Sequence, residues 1–376
     1  MKIKKVHEFA QVLTGGTPST EISEYWDNGT IPWLQSGCCQ NCYVNKASKY
    51  ITQKGYDNSV TKLMPKDTVL IALTGATAGK VGYLTFEACG NQSITGILPN
   101  DVVIPKFLFY FLQFKRNKIL ADCVGGAQPH ISQAYVKNIE VPVYSVTEQE
   151  IIVKQLELIS DLIIKNKENV NALDELIKSK FIEMFENKGF ELVPIRELVD
   201  TKKISAKKNF NSEEEIKYID ISSIDNERNI IIGYTNYIMK DAPSRAQQCL
   251  RKNDILISTV RPNLRNIAIF KEEDLDYVGS SGFCILRAKK VNPDYLKYVV
   301  LNDKFTNAMV DLTTGASYPA IRDEDVLNYL MINAPLELQN TFADFVQQID
   351  KSKFLIKRQI ELLEELLTKK MDEYFK

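Results

Sequence analysis

Four groups of residues have the types that chemistry needs, and each falls short of a working pattern. Asn292-Pro293-Asp294-Tyr295 comes within one residue of the Asn/Asp-Pro-Pro-aromatic turn that holds an adenine amine for methylation, but no glycine-rich strand–turn–helix for a methyl donor precedes it. Gly75-Ala76-Thr77-Ala78-Gly79-Lys80 resembles a phosphate-binding loop, yet it is one residue short. Val81 follows where the magnesium-binding Ser or Thr belongs, so a strand–turn–strand context is expected. His7 and His130 are the only histidines, and neither sits in a nucleophile–base–acid pattern. Cys38, Cys39 and Cys42 offer three thiolates without a fourth ligand nearby, whereas structural zinc wants four; no metal is expected. The sequence therefore points away from catalysis and towards recognition.

The elements that would position a recognition surface occur twice. With an offset of 190, Gln133–Asn138 meets Asp323–Asn328, Gln149 meets Gln339, Ile159 meets Ile349, and Lys180, Glu183 and Phe185 meet Lys370, Glu373 and Phe375. Upstream the offset drifts: Thr68-Val69-Leu70-Ile71 faces Asp254-Ile255-Leu256-Ile257, and Pro105-Lys106-Phe107-Leu108 faces Pro293-Asp294-Tyr295-Leu296. The repeat also explains Asn292–Tyr295, whose counterpart Ile104-Pro105-Lys106-Phe107 shares with it only a helix start. Short apolar runs bounded by turn residues predict strands over 68–73, 80–85, 254–260 and 266–270.

After each globular part comes a heptad seam. Ile152, Leu156, Ile159, Ile163, Asn166, Val170, Leu173 and Ile177 alternate spacings of four and three, as do Phe342, Val346, Ile349, Lys353, Ile356, Ile360, Leu363 and Leu367. A helix of ~38 residues spans ~57 Å, and a single apolar stripe of that length needs a partner. The expected fold is α+β. Residues 1–147 and 187–336 form two similar mixed α/β domains, and 148–186 and 337–376 form two long helices that pair as an antiparallel coiled coil. Homodimerisation through the seams is the other reading. Polar seam positions Asn166, Lys180, Lys353 and Lys370 would set register.

The net charge of −1 conceals a pattern: 1–147 is +4, 148–186 is −4, 187–336 is neutral and 337–376 is −1. The first domain is thus mildly basic, and polyanion binding is admitted though not located by charge alone. There is no bilayer-length apolar run and no secretory h-region at the N-terminus. With seven irregularly spaced cysteines, this predicts reduced thiols and a cytoplasmic location without membrane association. Two similar domains on a rigid spacer suit a nearly two-fold ligand. Duplex DNA is one, since half-sites about one helical turn (~34 Å) apart present the same face to both domains. Because the domains differ, the target would be bipartite and asymmetric, with an unread gap.

The order of motifs resembles the specificity subunits of type I restriction-modification systems (the HsdS family) over essentially the whole chain. The resemblance rests on Leu13-Thr14-Gly15-Gly16-Thr17-Pro18-Ser19, Val69–Thr77, Gly125-Gly126-Ala127-Gln128-Pro129-His130-Ile131 and Val141-Pro142-Val143, with Glu148-Gln149 opening the helix. In the second copy it rests on Asp254–Pro262 and Gly279-Ser280-Ser281-Gly282-Phe283. The second copy departs at Ala334-Pro335-Leu336-Glu337, where the register shifts, and at Leu338-Gln339, which lacks the Glu. The resemblance implies two target recognition domains in a non-catalytic subunit. Its partners would be double-stranded DNA, two modification subunits that use S-adenosylmethionine to methylate adenine N6, and two ATP/Mg-dependent restriction subunits. No cofactor is expected in this chain. A coiled-coil scaffold whose domains bind proteins is the alternative.

Arg favours guanine, and Asn or Gln favours adenine. Candidate DNA contacts are therefore Gln35, Ser36, Gln40, Asn41, Lys80, Gln128 and His130 in the first domain. In the second they are Arg245, Gln247, Gln248, Arg251, Arg261, Asn263 and Arg265. Gly126 and Gly315 would let backbone approach DNA or permit a turn.

Overall fold

A computed structural model describes residues 2–122, 130–314 and 319–376. The chain forms two compact units, Met1–Asn169 with Ile356–Lys376, and Val170–Leu355. The division runs through both long helices rather than at positions 147, 186 and 336. The cause is packing: each unit's core closes over one half of each helix.

In the first unit a five-stranded sheet has the order Val12–Thr14, Ile94–Ile97, Val69–Ala72, Val81–Leu84, Cys42–Val44. A three-stranded sheet joins Lys49–Ile51, Ile31–Leu34 and Cys89–Gly90. The central strand Val69–Ala72 is buried at every position, as its unbroken apolar run requires. The helix Pro105–Ala121 starts at its proline, where the missing N–H costs nothing. It packs Phe107, Leu108 and Phe111 into the same core as Val69, Ile71 and Val81. Lys2–Lys5 pairs antiparallel with Glu140–Val143 and ties the start of the chain to the segment entering the first long helix.

The second unit repeats this plan with altered proportions. Ile255–Ser258 lies between Ile267–Ile269 and Phe283–Ala288, with Val199–Asp200 at the far edge. A second sheet has the order Thr235–Ile238, Glu215–Ile219, Tyr277–Ser280, Ala246–Cys249. Leu192–Pro194 pairs with Leu330–Ile332 as the N-terminal strand does in the first unit. The helix from Pro293 ends at Leu301, and a second runs Asp303–Asp311. Asn302 accepts from the Lys304 amide and caps the new start, so one long helix of the first unit becomes two short ones.

The long helices are Val146–Phe185 and Leu336–Phe375, each of 40 residues. The first starts two residues earlier than the charge pattern suggests because Ser145 and Glu148 form a capping box: each side chain takes the other's backbone N–H. All seam positions lie on the covered side. Ile152, Leu156, Ile159, Ile163, Ile177 and Phe342 are buried; Val170, Leu173, Val346, Ile349, Ile356, Ile360, Leu363 and Leu367 are half-buried.

Partner choice is read within each unit. In the first, the Tyr144 hydroxyl donates to the Tyr374 carbonyl at 2.8 Å and Lys167 Nζ to Glu364 at 2.8 Å. In the second, Lys353 pairs with Asp174, and the Phe181 and Phe342 rings lie 5.6 Å apart. One helix's numbers rise as the other's fall, so the halves run antiparallel. The seam is therefore filled within the chain. Lys353 is drawn into it by Asp174, while Lys180 and Lys370 pair with Glu183 and Glu373 on their own helices.

Candidate nucleic-acid interface

Each unit carries the same loop after its central strand. In the first it runs from Leu73 to Lys80; the Ala78 N–H donates to the Gly75 carbonyl (3.0 Å), and Ala72 N–H to Lys80 O (3.0 Å). In the second it runs from Thr259 to Asn266, with Leu264 N–H to Arg261 O (2.9 Å) and Ser258 N–H to Asn266 O (3.0 Å). Both loops contain one 3-10 turn, Gly75–Thr77 and Pro262–Leu264. Both are zipped to the segment entering the next short helix: Ile131 N–H donates to Leu73 O (2.8 Å) and Ile321 N–H to Thr259 O (2.9 Å). The frame is conserved between the copies, while the side chains on it are not. The loop joins antiparallel strands, so Gly75–Lys80 does not stand at a helix N-terminus as a phosphate loop would.

The first loop gathers several expected contacts. Lys80 Nζ donates to Gln40 Oε1 at 2.6 Å, and Gln40 Nε2 to the Gly37 carbonyl at 3.0 Å. Asn41 exchanges two bonds with Val81, its N–H to the carbonyl (2.8 Å) and its Oδ1 from the N–H (3.1 Å). His130 is exposed and pairs with Thr74 on the other side of the loop. Gln35 and Ser36 open the 3-10 turn Ser36–Cys38 that leads to Gln40. Gln128, Gly126 and Gly315 lie outside the described residues.

In the second unit Arg261 and Asn263 are exposed on the loop, and Arg265 pairs with Asp303. Arg245 is exposed and adjacent through Ser281, whose N–H donates to its carbonyl (2.8 Å), while Thr259 N–H donates to Gly282 O (2.9 Å). Gln247 is exposed and its amide donates to Ser244 O. Two expected contacts are placed elsewhere. Gln248 is buried, and its Nε2 donates to the Phe283 carbonyl at 3.1 Å, so that amide nitrogen ties two strands together. Arg251 is exposed at the opposite end of Ile255–Ser258 from the loop. Its N–H donates to Asp254.

Three supporting groups were not foreseen. Asp254 is fully buried and receives Arg287 through two hydrogen bonds, 2.8 and 2.6 Å, at the root of the second central strand. Tyr43, two residues after Asn41, donates to Glu157 on the first long helix at 2.7 Å. Burial, then that bond, pushes its phenol well above the ordinary range, so it stays a donor. Arg116 lies against the first loop: a Cβ at Gly79 would lie 3.5 Å from its Cγ, and its buried Nε has no hydrogen-bond partner among the described residues. An arginine inside a helix reads as a solvated face, so only the tertiary fold reveals it.

The remaining near-motifs are structural. Asn292 accepts the Asp294 and Tyr295 amides and caps its helix, and Tyr295 is buried with its hydroxyl on the Ile332 carbonyl. Among the described residues no group of His, Cys, Asp or Glu is placed to hold a metal ion, and no helix is long and apolar enough to cross a membrane.

A duplicated strand–loop–helix domain, each copy with a helical arm, defines a paired-domain recognition protein. The chain belongs to the type I restriction modification DNA specificity domain family, whose model matches residues 1–173 and again 187–365. It is 30% identical over 199 residues to the specificity subunit of type I restriction enzyme MjaIX from Methanocaldococcus jannaschii, a match covering 52% of this chain and 45% of that relative. Against the MjaVIII specificity subunit of the same organism it is 22% identical over 398 residues, covering 99% and 91%. The S subunit of a type I system from M. genitalium shares the fold, with a TM-score of 0.56 at 16% identity over 98% of this chain and 95% of that one.

Proposed function

We propose that the chain is the sequence-reading subunit of a type I restriction-modification complex, with each domain reading one half of a bipartite, asymmetric DNA target. The observation that carries this is the repeated loop. One hydrogen-bonded frame appears in both domains, bearing Gly75-Ala76-Thr77-Ala78-Gly79-Lys80 in one and Arg261-Pro262-Asn263-Leu264-Arg265-Asn266 in the other. A constant frame with different polar side chains is what two readers of two different half-sites need.

Methylation and cleavage belong, in this reading, to partner subunits: two modification subunits supplying S-adenosylmethionine and two restriction subunits supplying ATP and magnesium. A docking surface for the former is supported by the first unit. There Leu158 and Leu162 on one helix half, and Leu362 and Leu366 on the other, are 41–63% exposed although the seam is already filled. Such a second apolar stripe on a paired helix marks a partner site. The site of action is the cytoplasm, where the DNA is.

The test is selection from a random duplex library by the full chain bound to its modification subunit. Enrichment of one two-part sequence with a fixed gap is expected. Exchanging the Gly75–Lys80 residues should alter one half only. Recovery of duplexes without any common sequence would replace this reading by a protein-binding scaffold.

A further inference from the structure

Eight described residues other than glycine have a positive φ, and six of them are Asn or Asp, whose short polar side chains tolerate the left-handed region. The other two are Arg261 (φ 51°) and Arg265 (φ 53°), four residues apart on the second domain's loop. Their equivalents in the first domain are Gly75 (φ 72°) and Gly79 (φ 71°). The frame thus demands the left-handed conformation at both positions, and the second domain meets that demand with a residue whose Cβ crowds its own backbone. Strain of this kind persists where the side chain is needed at that spot.

The two arginines are not equivalent. Arg265 is half-buried, its guanidinium lies on Asp303, and its carbonyl accepts from Ile267 N–H and Asn229 Nδ2, so the two differ in exposure. Arg261 is exposed while its backbone is fixed on both sides. Its N–H donates to Pro319 O at 2.8 Å, its carbonyl accepts from Leu264 N–H at 2.9 Å, and buried Pro262 follows it. A phosphate contact would not need this. Any arginine on relaxed surface backbone reaches a phosphate, whereas a guanidinium fork on the O6 and N7 of guanine must arrive at a set place and angle.

Resting on the function proposed above, we infer that Arg261 is a specificity-determining residue of the second half-site. It reads a guanine edge in the major groove, from a strained backbone that the first domain relaxes with Gly75.

The test uses the full chain with its modification subunit, comparing wild type, Arg261→Gly and Arg261→Lys by target selection and thermal unfolding. Arg261→Gly restores the residue the frame prefers. It should unfold at the same temperature as wild type or a higher one. Discrimination at one guanine of the second half-site should fall about tenfold, with the first half-site unchanged. Arg261→Lys should keep overall affinity but lose that discrimination, because an ammonium lacks the fork. A lower unfolding temperature for Arg261→Gly, an unchanged target, or equal weakening on all sequences would each overturn the assignment; the last would make Arg261 a phosphate contact. A wild-type complex that selects no sequence would instead sink the underlying function.

Discussion

Gln149 and Gln339 do the same task in the two halves of the chain. Each is buried at the start of a long helix, and each uses its side-chain amide to satisfy the loop that opens the domain's core helix. Gln149 Oε1 accepts from Ile104 N–H (2.8 Å), while its Nε2 donates to the Val102 and Tyr144 carbonyls (3.0 Å each). Gln339 Oε1 accepts from Asn292 N–H (2.9 Å), and its Nε2 donates to Ala334 O (2.8 Å). The glutamine thus joins the arm to the recognition domain. Gln149→Leu and Gln339→Leu each strand buried backbone groups and should cost about 2–3 kcal/mol. Urea unfolding of the full chain reads this, and a midpoint unchanged in either variant would show that the amide is dispensable there.

The Asp254–Arg287 pair gives a second prediction. Asp254 is wholly buried, so Arg287→Met leaves a carboxylate without its counter-charge and should destabilise by about 3–5 kcal/mol. The double variant Asp254→Asn with Arg287→Met should recover part of that loss. If the single and double variants unfold alike, the pair does not hold the second central strand.

The outer apolar stripe predicts a separation of binding from stability. Leu158→Glu with Leu362→Glu changes residues that are 63% and 50% exposed, so thermal unfolding should move little. Capture of the modification subunit should fall at least tenfold in a co-purification titration. Retained capture would place the docking surface elsewhere.

Lys80 and Arg116 test the first loop. Lys80→Ala should weaken DNA binding about equally on all sequences and flatten the salt dependence by roughly one ion. Arg116→Ala removes a buried Nε that has no hydrogen-bond partner among the described residues, so stability should hold or rise while DNA affinity falls. Affinity unaffected by Arg116→Ala would make it a packing residue.

The sequence discloses the arms and the duplication well, and the reading surface poorly. Heptads are legible because Leu156 or Phe342 must be covered whatever the partner, and the period alone locates the covered stripe. The equivalence of Gln149 and Gln339 survives in the offset, although the reason for it, a buried amide that bridges three backbone groups at Gln149 and two at Gln339, does not. The loop residues are harder. Gln247 and Gln248 are chemically identical neighbours, and only strand register exposes one and buries the other. Nor does composition reveal that Arg261 occupies a glycine's conformation, since φ is set by the hydrogen-bonded frame around it.

The most direct measurement is modified-base sequencing of genomic DNA from cells carrying this chain and its modification subunit, with and without the chain. One two-part motif with a fixed gap, methylated in both halves and lost on deletion of this chain, is the predicted result. Methylation that is independent of the chain, or absent beside an active partner, would contradict the account.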